Sequence, residues 1–259
     1  MRESPFSLAA LKRHIASIEG HSQARSDQLF TLGVEAIDAK LGGGLAKGRL
    51  HEVFATEPED GASAAGFAMM LALRASERMK PILWLRQDGA EKRDGRLHAP
   101  GVAEIGLDPA RLILAVAGDA ALLLKAANDG VRCAGLGAVV IEPYRAARAI
   151  DLTVSRRLAL SAEQSGVTAL LLRTDADPAP SAARTRWSVK AAASTALFAD
   201  TPGMPALDIN MLRHRGGPDG LAWRVEWNRD QRSFREAPFP GVVLPLPVGR
   251  SAAAGARAA

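Results

Sequence analysis

Apolar residues near the amino terminus recur at three- and four-residue intervals, at Leu8, Leu11, Ile15 and Ile18. That spacing places them on one face and predicts an amphipathic helix over residues 5–19. Ser4 and Pro5 suit its start, and Gly20 suits its stop. The polar stretch 20–28 then reads as a linker. Such a helix either docks a partner or folds back on its own domain, and the pattern leaves both open. From residue 29 to about 175 the pattern changes to short apolar runs separated by helical stretches. Strand-like runs fall at 50–55, 82–85, 112–116, 138–141 and 167–172, with helical stretches near 62–79, 119–133 and 148–165. Fully apolar strands alternating with helices predict a parallel sheet covered on both faces, hence a doubly wound α/β domain. Beyond residue 190 the strand candidates are 194–199, 207–213 and 221–227. The last two flank Gly216, Gly217, Pro218, Asp219 and Gly220, a strong turn, and predict a hairpin that extends the sheet in antiparallel fashion. The Pro-, Gly- and Ala-rich residues 238–259 are expected to be extended and then disordered. The organisation expected is therefore 1–28 as helix and linker, 29–237 as one α/β domain, and 238–259 as tail.

Composition narrows the class without naming a function. Of 259 residues, 47% are hydrophobic and 24% charged, a globular balance. No apolar run reaches the roughly 20 residues that span a bilayer, and Lys12, Arg13 and His14 interrupt any signal-peptide core. A soluble, cytoplasmic protein with no membrane partner is expected. The single cysteine, Cys133, excludes an internal disulfide and a cysteine-rich zinc site, and is expected to be a small buried hydrophobe. The histidines His14, His21, His51, His98 and His214 show no metal-ligand spacing, and no nucleophile elbow occurs.

A strand, loop and helix at 50–79 is where a domain of this kind holds a ligand. A phosphate loop there needs glycines, a Lys for the β- and γ-phosphates, and a Ser or Thr for Mg²⁺. The segment before it, Leu32-Gly33 through Asp38 and then Leu41-Gly42-Gly43-Gly44-Leu45-Ala46-Lys47-Gly48-Arg49-Leu50, resembles the approach to the ATP loop in RecA and its relatives. The resemblance implies a RecA-like P-loop NTPase fold. At the matching positions the catalytic residues of that family are absent or altered. No lysine lies between Lys47 and Lys80, and the loop reads Thr56-Glu57-Pro58-Glu59-Asp60-Gly61-Ala62-Ser63. Glu57, Glu59 and Asp60 precede a helix N-terminus, where carboxylates gain about 0.3–1 kcal/mol and repel a nucleotide. The second motif of the family ends its strand in Asp; here 138–141 leads to Glu142. The water-activating Glu of the family has no counterpart in Trp84-Leu85-Arg86-Gln87-Asp88. We therefore expect no ATPase activity and no cofactor.

Within that superfamily the chain resembles the inducible mutagenesis protein A (ImuA) family. The approach segment, Arg184-Thr185-Arg186-Trp187, and the late run Leu212-Arg213-His214-Arg215-Gly216-Gly217-Pro218 with Trp223-Arg224-Val225-Glu226-Trp227-Asn228 carry the likeness. The resemblance implies an accessory role in SOS-induced mutagenic translesion synthesis. It implies docking to an inactive Y-family polymerase relative and an error-prone DNA polymerase, with RecA as a further candidate partner. A SulA-like cell-division inhibitor and an atypical RecA-type ATPase are the alternatives.

The net charge of +5 is a weak indication of nucleic acid. Residues 173–235 hold ten Lys and Arg against seven Asp and Glu, so DNA binding is expected to be weak or indirect. Trp187, Trp223 and Trp227 are candidates for base stacking, although Trp223 and Trp227 share a strand face with Val225, which favours a core role for at least one. The contact candidates are Leu8, Leu11, Ile15 and Ile18 for a partner, and Arg213, Arg215 and Arg224 for a partner or DNA.

Overall fold

The computed structural model of the chain describes residues 28–76, 80–145, 150–195, 201 and 203–237. The helix expected over 5–19, with Leu8, Leu11, Ile15 and Ile18, and the tail 238–259 lie outside the described residues.

A small antiparallel pair, β1 (Leu29–Phe30) and β2 (Leu45–Ala46), flanks helix α1 (Glu35–Lys40). The glycine run between them turns tightly: Gly44 has φ 135°, and a Cβ there would lie 2.5 Å from the Phe30 carbonyl oxygen. Only glycine fits that combination. The body is a nine-stranded sheet made of β3 (Leu50–Ala55), β4 (Ile82–Gln87), β5 (Leu112–Ala117), β6 (Ala138–Glu142), β7 (Thr168–Arg173), β8 (Thr185–Ala192), β9 (Ala206–His214), β10 (Leu221–Asn228) and β11 (Ser233–Glu236). The spatial order is β11-β10-β9-β8-β3-β7-β6-β4-β5. Strands β8, β3, β7, β6, β4 and β5 run parallel, and β9 to β11 continue antiparallel. The expected doubly wound sheet with an antiparallel C-terminal extension is thus present, including the 206–214/221–228 hairpin.

Helix α2 (Gly61–Ala75) covers one face. Its small residues permit close approach, and it is buried nearly all round, as a central helix must be. Phe67 packs edge-on against Trp187 at 5.8 Å and tilted against Phe234 at 5.4 Å, and Trp227 meets Phe234 edge-on at 4.8 Å. Each such aromatic contributes about 1.5–3 kcal/mol by leaving water. Helices α5 (Ala120–Arg132) and α6 (Leu152–Ser165) cover the other face through Leu123, Ala127, Val131, Leu158 and Ala162. Two short helices, α3 (Asp88–Asp94) and α4 (Ala99–Glu104), lie between β4 and β5. Among the described residues no helix is long and apolar enough to cross a membrane.

Three expectations are corrected. The strand seen after residue 180 is Thr185–Ala192; of the strand expected at 194–199, residues 194 and 195 are not strand and 196–199 lie outside the described residues. Thr185, Trp187 and Val189 are buried while Arg186, Ser188 and Lys190 lie on the other face of the strand, where Arg186 pairs with buried Glu52 at 2.7 Å, a period-two pattern. Cys133 is exposed, because α5 buries Val131 as its last core residue and the chain turns outward after Arg132. Trp187 and Trp227 are completely buried, so neither offers a face to a base, while Trp223 is half-buried against the same core.

Candidate functional site

The loop between β3 and α2 stands where the resemblance places a phosphate loop, and Pro58–Asp60 form a 3-10 turn there whose side chains are used internally. Thr56 donates its N–H to Val189 O at 2.9 Å, and its hydroxyl lies 2.7 Å from that of Ser188. Asp60 is buried: its carboxylate accepts from Ala191 N at 2.9 Å and from Glu57 N at 3.2 Å. Asp60 therefore fastens the loop to β8 instead of facing the place of a phosphate. Glu57 is exposed. Glu59 borders a cleft of about 570 Å³ between the start of α2 and residues 94–105. Ala62 stands where a phosphate-binding lysine would be and presents a methyl group to this cleft, while Ser63 is half-buried in the first turn of α2. The cleft floor is apolar, formed by Ala65, Met69, Trp84, Val102 and Ile105.

Glu142 lies at the end of β6, directly beside Arg86 of β4 in the parallel register. Both are buried. The Glu142 carboxylate accepts from Trp84 Nε1 at 2.7 Å and from Arg86 Nη2 at 3.0 Å. Arg86 Nε sits 2.7 Å from Oε2 but outside hydrogen-bonding geometry, so that contact is Coulombic alone. Arg86 Nη1 donates to Gly95 O at 2.7 Å, which ties the pair to the loop after α3. A guanidinium thus occupies the charge partnership that a divalent cation would have with this carboxylate. Around it, Gln87 accepts from Tyr144 N at 3.0 Å, and Arg93 stacks over the Tyr144 ring at 5.6 Å while donating to Thr174 Oγ1 at 2.5 Å. The cleft therefore has an apolar floor, a neutralised carboxylate and no lysine. Among the described residues no group of three or more His, Cys, Asp or Glu could hold a metal ion.

The arginines expected as contacts do not converge. Arg224 is exposed on β10 and forms a bidentate pair with Asp208 at 2.7 and 2.8 Å. Arg213 is exposed near the end of β9. Arg215 follows β9, donates to Ser181 O at 3.0 Å, and lines a separate pocket at the opposite end of the sheet. Sequence reasoning missed Arg86 and Trp84 as partners of Glu142. The available sign was a lone arginine near the end of an otherwise apolar strand, a residue type that is rarely buried unless paired.

No protein-family profile matches the chain. Protein ImuA of Caulobacter vibrioides, in strains NA1000 / CB15N and ATCC 19089 / CIP 103742 / CB 15, is 33% identical over 215 residues, covering 78% of this chain and 78% of the relative. The crystal structure of the RadB recombinase superposes with a TM-score of 0.54 at 16% identity, covering 81% of this chain and 100% of that one. That likeness shows a RecA-like fold.

Proposed function

The chain belongs to the ImuA family, and from that premise we propose that it is a non-catalytic accessory protein of the DNA-damage response. In this reading it supports mutagenic translesion synthesis by docking an inactive Y-family polymerase relative and an error-prone polymerase. The observation that carries the non-catalytic part is the buried Arg86–Glu142–Trp84 network. A carboxylate held by a guanidinium and an indole N–H is not available to Mg²⁺, and Ala62 leaves the γ-phosphate without a lysine. The docking part rests on family membership. Purified protein is expected to show no ATP binding by calorimetry with or without Mg²⁺. Binding at micromolar strength overturns the non-catalytic reading. Affinity purification from DNA-damaged cells is expected to recover polymerase-related proteins, and recovery of none overturns the docking role.

A further inference from the structure

The second concavity of the molecule lies at the opposite end of the sheet from the degenerate nucleotide loop. It has a volume of about 340 Å³, and four of its lining residues are arginines: Arg49, Arg156, Arg184 and Arg215. The sheet brings three of them together. Arg49 immediately precedes β3, Arg184 immediately precedes β8, and Arg215 immediately follows β9. Because β3 and β8 are parallel and β9 is antiparallel to β8, these three positions share one end of the sheet. Helix α6 supplies the fourth side: Arg156, Leu160 and Glu163 are spaced by four and three residues and so lie on one stripe. Among the described residues Glu163 is the sole carboxylate in the lining, and it is 2.6 Å from Arg49. Arg156 has no carboxylate partner among the described residues. Among the described lining residues four guanidinium groups stand beside one carboxylate, so this lining is positively charged.

Two features bear on what fits there. Leu160 is 58% exposed at the pocket, with Leu50, Ala159 and Ala182 beside it, so the concavity offers an apolar contact next to its positive charge. Phosphodiester backbone alone leaves that apolar contact unused, whereas a peptide carrying acidic and aliphatic residues uses both. The termini of the chain are poor sources of such a peptide. Residues 1–27 hold four Lys and Arg against three Asp and Glu, and residues 238–259 hold no Asp or Glu.

We propose that the pocket formed by Arg49, Arg156, Arg184 and Arg215 docks an acidic, leucine-like peptide segment of a protein partner, its carboxylates among the arginines and its apolar side chain on Leu160. The inference rests on the accessory-protein reading, and names the chemistry of one docking surface for it. Arginine suits this role because its planar fork pairs carboxylates bidentately.

The test is selection from a random peptide library on the full chain, followed by binding measurements with the enriched peptide. Enriched sequences are expected to carry Asp or Glu flanking Leu, Ile or Phe. The doubly substituted Arg156→Glu/Arg215→Glu protein is expected to bind roughly tenfold or more weakly, since both residues are exposed and both charges reverse. Glu163→Gln, which removes the competing carboxylate, is expected to bind roughly two- to fivefold more tightly. A gain of affinity cannot come from misfolding, so it guards against instability of the double variant. A single-stranded oligodeoxythymidylate forms the other arm. Enrichment of basic or neutral peptides, no enrichment, unchanged binding in the double variant, or oligonucleotide binding that alone depends on these arginines each overturns the proposal. None of these measurements uses ATP or a polymerase, so failure here is distinct from failure of the accessory reading.

Discussion

At the scale of single residues, two buried polar groups carry measurable consequences. His51 is fully buried in β3. Its Nε2 donates to Ala46 O at 2.9 Å, which leaves Nδ1 to accept from the Thr185 hydroxyl at 2.8 Å; that hydroxyl in turn accepts from Trp187 Nε1 at 2.8 Å. The chain of bonds needs a neutral ring. The imidazole pKa is lowered from 6.5 to about 4, chiefly by burial; the Ala46 carbonyl partly offsets that, and the charges of Arg184, His214 and Arg49 add to it. Between pH 4 and 6.5 the unfolded chain therefore binds a proton that the folded chain refuses. The resulting stability is complete above pH 6.5 and is lost as pH falls toward 4, by ~3 kcal/mol. Urea unfolding across that interval is expected to show the loss, with a flatter profile in His51→Asn. The Arg86–Glu142 pair obeys a different rule. Removing one partner strands a buried charge at a cost of about 3–5 kcal/mol, whereas replacing both with apolar residues is close to neutral. Glu142→Gln is expected to lower unfolding free energy by that amount, and Arg86→Met/Glu142→Met to recover most of it. If the single and double variants are equally destabilised, the pair is not the organising interaction described above.

At the scale of elements, the loop between β3 and α2 divides its acids by task. Asp60 bridges two backbone N–H groups, one of them on β8, whereas Glu57 and Glu59 are exposed. Asp60→Ala removes the charged acceptor shared by the N–H groups of Ala191 and Glu57, and is expected to cost about 1.5–3 kcal/mol. Glu57→Ala and Glu59→Ala are expected to stay within about 0.5 kcal/mol of the parent, as surface changes do. Thermal melts of the three variants separate these outcomes. The sequence marked these acids as a group at a helix start, which is as far as local reasoning reaches. The partner that distinguishes Asp60 is 131 residues away, so its role became visible only when β8 was seen to lie beside β3. The same reason hid β8 itself: a run of apolar positions announces a strand covered on both faces, but Thr185–Ala192 is covered on one and alternates with Arg186 and Lys190. Strands β3, β6 and β7, buried throughout or nearly so, were legible for the converse reason.

At the scale of the whole molecule, the class of fold could be read from the chain because alternation of apolar strands and helices has few packed solutions. The order of the strands could not, since it is set by which crossovers and hairpins pack together, and that order decides which strands become edges. One edge is β11, which is short and carries Arg235 and Glu236. The other is β5, whose Leu112–Ala117 contains no charge and no proline, and leaves Ile113 at 47%, Leu114 at 41% and Val116 at 48% exposure. Leu122 at the start of α5 adds a further exposed leucine near the C-terminal end of β5, at 55%. Among the described residues no strand pairs with the outer side of β5, and an uncharged, apolar edge of that kind is a template for strand addition, which natural sheets usually block with a charge or a bulge. The purified protein is therefore expected to self-associate as its concentration rises. Val116→Lys places a charge on that edge at a half-exposed position, where it is expected to change stability by no more than about 0.5 kcal/mol. Light scattering over a concentration series checks the pair: the parent should grow in apparent mass and the variant should stay monomeric. If both behave alike, β5 is not the adhesive edge, and association, where it occurs, uses another surface.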